Sequence, residues 1–188
     1  MKTRFAHAYV LNVMSDDHPG IVASVGRAIA EMGGNIDSCS QTVLEGYFTL
    51  IMIVSLPETV APDALAQRVR GADPSGLEVV ARAFLPPAYA QTKGETDRFV
   101  VTAFGTDRPG IIHRISQYLA GKDINISDFY WHRAGDDFVL IGEVDVPVRW
   151  DVAMLQVDLE QMGKEEGFTV KLQHENIFVA TNQLRLTR

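Results

Sequence analysis

Residues 17–21 read DHPGI and residues 107–111 read DRPGI, so one 188-residue chain carries the same kind of acidic, Pro-Gly pentapeptide twice. Each copy follows a run of β-forming residues and precedes apolar residues at helical spacing, which makes it a strand-to-helix turn. The first N–H groups of a helix have no partner within the helix and lie at the positive end of its dipole. A carboxylate suits such a place. Gly20 and Gly110 let a ligand approach the main chain, while Pro19 and Pro109 fit the first helical position, where no N–H is missed. Asp17 and Asp107 offer acceptors to an ammonium group. Asn35 and Asn125 open the next strand, expected beside the turn in the sheet, and add an amide that donates and accepts. These are the groups a small zwitterion requires. A ligand-free alternative fits the same residues, because Asp ahead of Pro-Gly also serves as an ordinary helix N-cap.

The elements that position these turns follow from an offset. The turns start at 17 and 107, 90 residues apart, and the same step carries Asn35 onto Asn125, Ile36 onto Ile126, Phe48 onto Phe138 and Val54 onto Val144. Ile21, Val25, Ile29 and Leu65 fall likewise on Ile111, Ile115, Leu119 and Leu155. Near the end the register slips by one, Leu77 and Val79 matching Phe168 and Val170. The chain is an internal duplication.

Within the first copy, FAHAYVLNVM (5–14) predicts a strand. A helix from Ile21 to about Met32 ends at Gly33-Gly34. Strands over 35–44 and 46–55 are joined at Glu45-Gly46, and Pro57 and Pro62 lead into a second helix before LEVVARA (77–83) closes the unit. The second copy predicts strands near 97–105, 125–134, 138–146 and 168–174, with helices from Gly110 to Gly121 and across Val152, Leu155, Leu159 and Met162. The order βαββαβ, twice, is an α+β ferredoxin-like arrangement, with an antiparallel sheet and both helices on one face. FLPPAYAQTKGET (84–96) has linker composition, giving a first domain over 1–85, a linker over 86–96 and a second domain with a C-terminal tail over 97–188. Strand 47–54, YFTLIMIV, is apolar on both faces, so the second sheet face is also expected to be covered, by the other repeat or another chain.

Charge excludes several functions. Residues 1–93 hold 7 basic and 9 acidic groups, residues 94–188 hold 10 and 15, and no Lys/Arg cluster offers a phosphate-backbone surface. Direct nucleic-acid binding is not expected, nor attraction to anionic membranes. No apolar run approaches the roughly 20 residues that span a bilayer. Cys39 is the only cysteine, which fits a reducing cytoplasm, and it reads as a small apolar residue on a strand. The five histidines lack ligand spacing, so no metal site is expected, and there is no phosphate-binding Gly-rich loop and no G-x-S-x-G. Trp131 is expected to pack in the core or on a sheet face.

The motif D-x-P-G-I, then a helix, then GGNIDS in the first copy and DINISD in the second, resembles the ACT domain, the small-molecule regulatory module of amino-acid metabolism. Tandem ACT units filling a chain are similar to the glycine cleavage system transcriptional repressor family. The resemblance covers about residues 5–175 and is most specific in DHPGIVASVGRAIAEMGGNIDS, GYFTLIMIVSLP and TDRPGIIHRISQYLAGKDINISD. It implies a ligand site at the loop and at the start of the second strand, commonly for an amino acid such as glycine or serine at an interface between ACT units. By position, the site residues are Asp17, His18, Pro19, Gly20, Ile21, Asn35 and Ile36, and Asp107, Arg108, Pro109, Gly110, Ile111, Asn125 and Ile126. The motif's common Arg is Arg108 in the second copy but His18 in the first, so equal occupancy is not implied. The resemblance further implies no catalysis, no cofactor, a regulator or enzyme as protein partner, and self-association. The expected function is a non-catalytic, amino-acid-sensing regulatory protein, including transcriptional regulation, acting through protein contacts. The alternative is a regulatory subunit or adaptor for a separate metabolic enzyme; formyltetrahydrofolate deformylases carry a similar N-terminal ACT unit.

Overall fold

The computed structural model describes residues 2–85 and 94–178. Residues 86–93 of the expected linker and residues 179–188 of the tail lie outside the described residues. The chain divides into two compact units, Met1–Pro87 and Ala88–Arg188. The first runs β1 (His7–Asp16), α1 (Ile21–Glu31), β2 (Asn35–Leu44), β3 (Tyr47–Leu56), α2 (Pro62–Arg70) and β4 (Glu78–Ala83). The second runs β5 (Thr96–Thr106), α3 (Ile111–Gly121), β6 (Asn125–Ala134), β7 (Asp137–Pro147), α4 (Val152–Glu166) and β8 (Phe168–His174). The sheet orders are β2-β3-β1-β4 and β6-β7-β5-β8, with every neighbouring pair antiparallel. This is the expected α+β architecture of two ferredoxin-like βαββαβ units.

Alternation along the strands explains the core. Leu11 and Val13 of β1 and Phe48, Leu50, Met52 and Val54 of β3 point to one face, where Ile21, Val25 and Ile29 of α1 and Leu65 and Val69 of α2 cover them. Val101, Phe138, Leu140, Ile115, Leu119 and Leu155 repeat the arrangement in the second unit. On the other face Tyr47, Ile51 and Val80 remain exposed, as do Phe104, Tyr130 and Ile141.

The β2–β3 hairpin turns through Glu45 (φ 51°) and Gly46 (φ 85°), two left-handed residues in succession, whose twist matches that of the flanking strands. Each unit also has a register shift early in its first edge strand, between Ile36 and Ser38 and between Ile126 and Asp128. One difference bears on the sites. Helix α2 is 9 residues long and hands over to a loop, Gly71 to Leu77, whereas α4 is 15 residues long and ends at Gly167, immediately before β8.

Candidate functional site

Both pentapeptides turn back from the end of a strand and are tied to the tip of the adjacent hairpin: the Asp17 amide donates to the Gly46 carbonyl at 2.8 Å, and the Asp107 amide to the Asp136 carbonyl at 2.7 Å. Gly20 (φ 106°) and Gly110 (φ 96°) are the N-cap residues of α1 and α3, both left-handed. A side chain there would be strained, and the space where its Cβ would sit is open, with no atom within 4 Å. Two expectations are corrected. Pro19 and Pro109 precede the cap instead of opening the helix, because the left-handed glycine delays helical geometry by one residue. Asp17 and Asp107 are not caps, and no side chain caps either helix. The intrahelical ladder begins with Ser24 N–H to the Gly20 carbonyl and Arg114 N–H to the Gly110 carbonyl, leaving the preceding amides outside it.

Asn35 and Asn125 do not lie beside these turns. Strand β2 is parallel in direction to β1 and separated from it by β3, so it starts at the far end of the sheet. Asp16 pairs with Tyr47, while Asn35 pairs with Ser55, eight residues further along β3, a separation of roughly 26 Å at ~3.3 Å per residue. One small molecule cannot touch the turn and the asparagine of the same unit.

Each asparagine instead belongs to a polar cluster at the edge-strand irregularity. Asn35 Nδ2 donates to Asp37 Oδ1 at 2.9 Å, as does the Arg4 amide, and Ser55 Oγ accepts from the Phe5 amide at 3.1 Å. Burial by itself pushes the Asp37 carboxyl up, but hydrogen bonds from Ser55, the Arg4 amide and Asn35 outweigh it and hold the group below its ordinary value. In the second unit Asp145 takes the place of Ser55 and Ser127 that of Asp37. Asn125 Nδ2 donates to Asp145 Oδ2 at 3.4 Å, and Ser127 Oγ donates to the Glu143 carbonyl. The carboxylate and the hydroxyl have exchanged strands. The four isoleucines serve packing: Ile21 and Ile111 are buried in the cores, and Ile36 and Ile126 pack against them.

The turns differ in what surrounds their second residue. His18 Nε2 lies 2.7 Å from Ser75 Oγ, which donates to Asp73 Oδ1 at 2.6 Å, and His18 Nδ1 lies 3.1 Å from its neighbour's carbonyl at Pro19. Asp73 is buried, and hydrogen bonds from the Ser75 hydroxyl and amide hold its carboxyl below the usual aspartate value. Arg108 instead lies exposed over Gly167, where a Cβ would stand 3.5 Å from its guanidinium, and Asp107 pairs with Arg133 at 3.3 Å. Ser75 and Asp73 lie in the loop that replaces the end of α4. Sequence reasoning passed them over, although Asp73-Pro74-Ser75-Gly76 is a turn signature that marks a loop where the second copy continues as helix.

Beside the first turn a cavity of about 580 Å³ opens between His18, Ser75, Met14, Leu44, Tyr47 and Glu78. Its counterpart in the second unit is about 360 Å³ and is bordered by Phe104, Gly105, Asp137, Lys164 and Gly167. Among the described residues no group of His, Cys, Asp and Glu side chains is placed to hold a metal, and no helix is long and apolar enough to cross a membrane.

The ACT domain model matches residues 7–81 and again 97–173. The chain belongs to the ACT-domain family, a family of regulatory modules, and carries two such domains in tandem. A UPF0237 protein of Methanococcus maripaludis is 37% identical over 83 residues, 44% of this chain and 92% of the relative. A UPF0237 protein of Methanocaldococcus jannaschii is 40% identical over 82 residues, 43% of this chain and 91% of the relative. Each relative is thus matched over about one repeat. Among solved structures, an unknown protein from Galdieria sulphuraria shares the fold with a TM-score of 0.73 and 23% identity, over 89% of this chain and 98% of that one. A protein provisionally named a glycine cleavage system transcriptional repressor does so with a TM-score of 0.64 and 18% identity, over 89% of this chain and 96% of that one.

Proposed function

We propose that the chain is a non-catalytic, amino-acid-sensing regulatory protein that acts in the cytoplasm by contacting a regulator or enzyme, in the manner of a glycine cleavage repressor. A small amino acid such as glycine or serine places its carboxylate at the turn between the first strand and first helix of a unit. The observation that carries this reading is the uncapped helix start. In both units a left-handed glycine with open space around it stands where a capping side chain is common, which leaves first-turn amides to a carboxylate, although in the second unit the Ile111 amide also makes a long bond, 3.4 Å, to the Arg108 carbonyl. Helix α4, by contrast, is capped by Asp151, which accepts from the Ala153 amide at 2.8 Å.

Domains over 1–85 and 97–188, joined by the linker 86–96, are the two sensing units, and self-association assembles the partner-binding surface. The far placement of Asn35 and Asn125 gives them no share in the same unit's turn; their role in ligand binding requires a turn from another ACT unit.

Titration calorimetry of the whole chain with glycine and serine tests the reading. Binding at millimolar concentration or tighter is the expected result, lost in Gly110→Val or Gly20→Val, whose strained turns also lower the unfolding temperature, and weakened in Asp107→Asn or Asp17→Asn while the unfolding temperature stays near that of the wild type. No heat and no thermal shift with any amino acid sinks the sensing function and leaves a ligand-independent adaptor.

A further inference from the structure

We propose that the cavity of the first unit receives the side chain of a bulky apolar amino acid, aromatic or branched, so that the two units sense different ligands. This rests on the amino-acid reading of the turn. About 580 Å³ lies within the range of small-molecule sites, roughly 300–1,000 Å³, and glycine has no side chain to fill it. Met14, Leu44, Tyr47 and Phe48 supply an apolar surface, and Leu44 and Tyr47 are 63% and 68% exposed, at a cost that a bound apolar group relieves.

The charge at the rim selects the other end of the ligand. Asp16 and Glu78 border the cavity, neither side chain has a hydrogen bond or ion pair among the described residues, and no Lys or Arg lines it. An ammonium group complements that rim. His18 belongs both to the cavity and to the turn, so the cavity adjoins the segment that leads into the uncapped start of α1. Ser75 fixes the imidazole there: its proton is committed to Asp73, so it can only accept from Nε2–H. The second unit differs in both respects. Its cavity is smaller, about 360 Å³, with three glycines beside Phe104 and Phe168 in its lining, and Lys164 offsets the charge of Asp137, so its rim carries no net negative charge to attract an ammonium group.

Calorimetry on the full chain with L-phenylalanine, L-leucine, glycine and N-acetyl-L-phenylalanine tests this. Phenylalanine or leucine is expected to bind at one site per chain at least about ten-fold more tightly than glycine binds that site, and N-acetylation, which removes the positive charge, abolishes binding. Leu44→Gln, at an exposed position, is expected to weaken phenylalanine at least about five-fold without changing the affinity for glycine. Methyl NMR of the wild type checks the location without a variant, through shifts at Leu44 and Met14 on adding phenylalanine. Binding of glycine or serine without phenylalanine or leucine overturns the inference and leaves the sensing function standing. Phenylalanine binding that moves neither methyl and survives Leu44→Gln overturns the assignment to this cavity. Absence of any amino-acid response overturns both.

Discussion

Phe48 and Phe138 hold the same place in the two units and meet different neighbours. Phe138 stacks on Trp131, ring centroids 4.4 Å apart and planes 6° from parallel, and meets the edge of Phe168 at 5.9 Å. Gln41 and Leu77 stand at the equivalent places around Phe48. A second exchange lies at the end of the first helix of each unit. In the first, Gly34 is required because Leu56 fills the space: a Cβ at position 34 would lie 2.5 Å from Leu56 Cδ2. In the second, Ile124 is buried at that place opposite the smaller Val146. One backbone plan therefore accepts two distributions of volume, provided each pair of positions fills its space. The polar clusters follow the same rule, with Asp37 and Ser55 in one unit answered by Ser127 and Asp145 in the other. The turns do not, because a loop flanks His18 and a longer helix flanks Arg108.

The largest expected effect breaks the aromatic side of this comparison. Phe138→Ala should cost about 3–5 kcal/mol. Phe138→Leu should cost about 1–2 kcal/mol more than Phe48→Leu, the worth of two aromatic contacts. Both tryptophans, Trp131 and Trp150, lie in the second unit, whereas Tyr9 and Tyr47 lie in the first, so fluorescence excited selectively at tryptophan reports the second unit during urea unfolding. Equal losses for the two leucine variants, the first unit being followed by amide hydrogen exchange, would show that the rings contribute area and nothing more.

Next is the exchange of volume. Gly34→Ala is expected to destabilise the first unit by about 1–3 kcal/mol through overpacking. In a Leu56→Val background the loss should shrink by at least about 0.5 kcal/mol, the coupling expected of residues in contact. Hydrogen exchange of core amides in β1 and β3 measures it, and strict additivity would refute the compensation.

A smaller effect concerns the second helices. Asp151 caps α4, while Ala61 holds the same extended conformation at the start of α2 (φ −61°, ψ 135°) without a side-chain cap. Asp151→Ala should lose about 1 kcal/mol and Ala61→Asp should gain up to about that much. Thermal unfolding of both variants checks the pair, and the two shifts should have opposite signs.

The finest distinction is in acid. Hydrogen bonds from Ser75 hold the Asp73 carboxyl below its ordinary value of 3.8 in the folded first unit. A depressed folded-state pKa lends stability that is present above the unfolded value and lost as pH falls through the folded one. The first unit should weaken as pH drops below about 4, and Asp73→Asn should flatten that dependence while leaving the fluorescence-detected unfolding of the second unit unchanged. An unaltered acid profile in the variant would remove Asp73 from the account.

The 90-residue offset, the order βαββαβ and the position of the hairpins were legible because they rest on local signals: apolar periodicity, glycine pairs and the turn at Glu45-Gly46. The turn that carries the candidate site was legible for the same reason. Its details were not. Chain order placed Asn35 soon after Asp17, but the sheet order β2-β3-β1-β4 sets them at opposite ends, since the intervening helix returns the chain along the whole length of β1. Asp17 carries the side chain of an N-cap, yet the left-handed Gly20 takes the capping position and leaves the helix start uncapped. His18 and Ser75 are 57 residues apart and meet only because α2 stops early and its loop folds against the turn. Local sequence fixes torsion preferences and periodicity, whereas partners distant along the chain are chosen by sheet order and by the length of the connecting helices, quantities that exist only once the unit has packed.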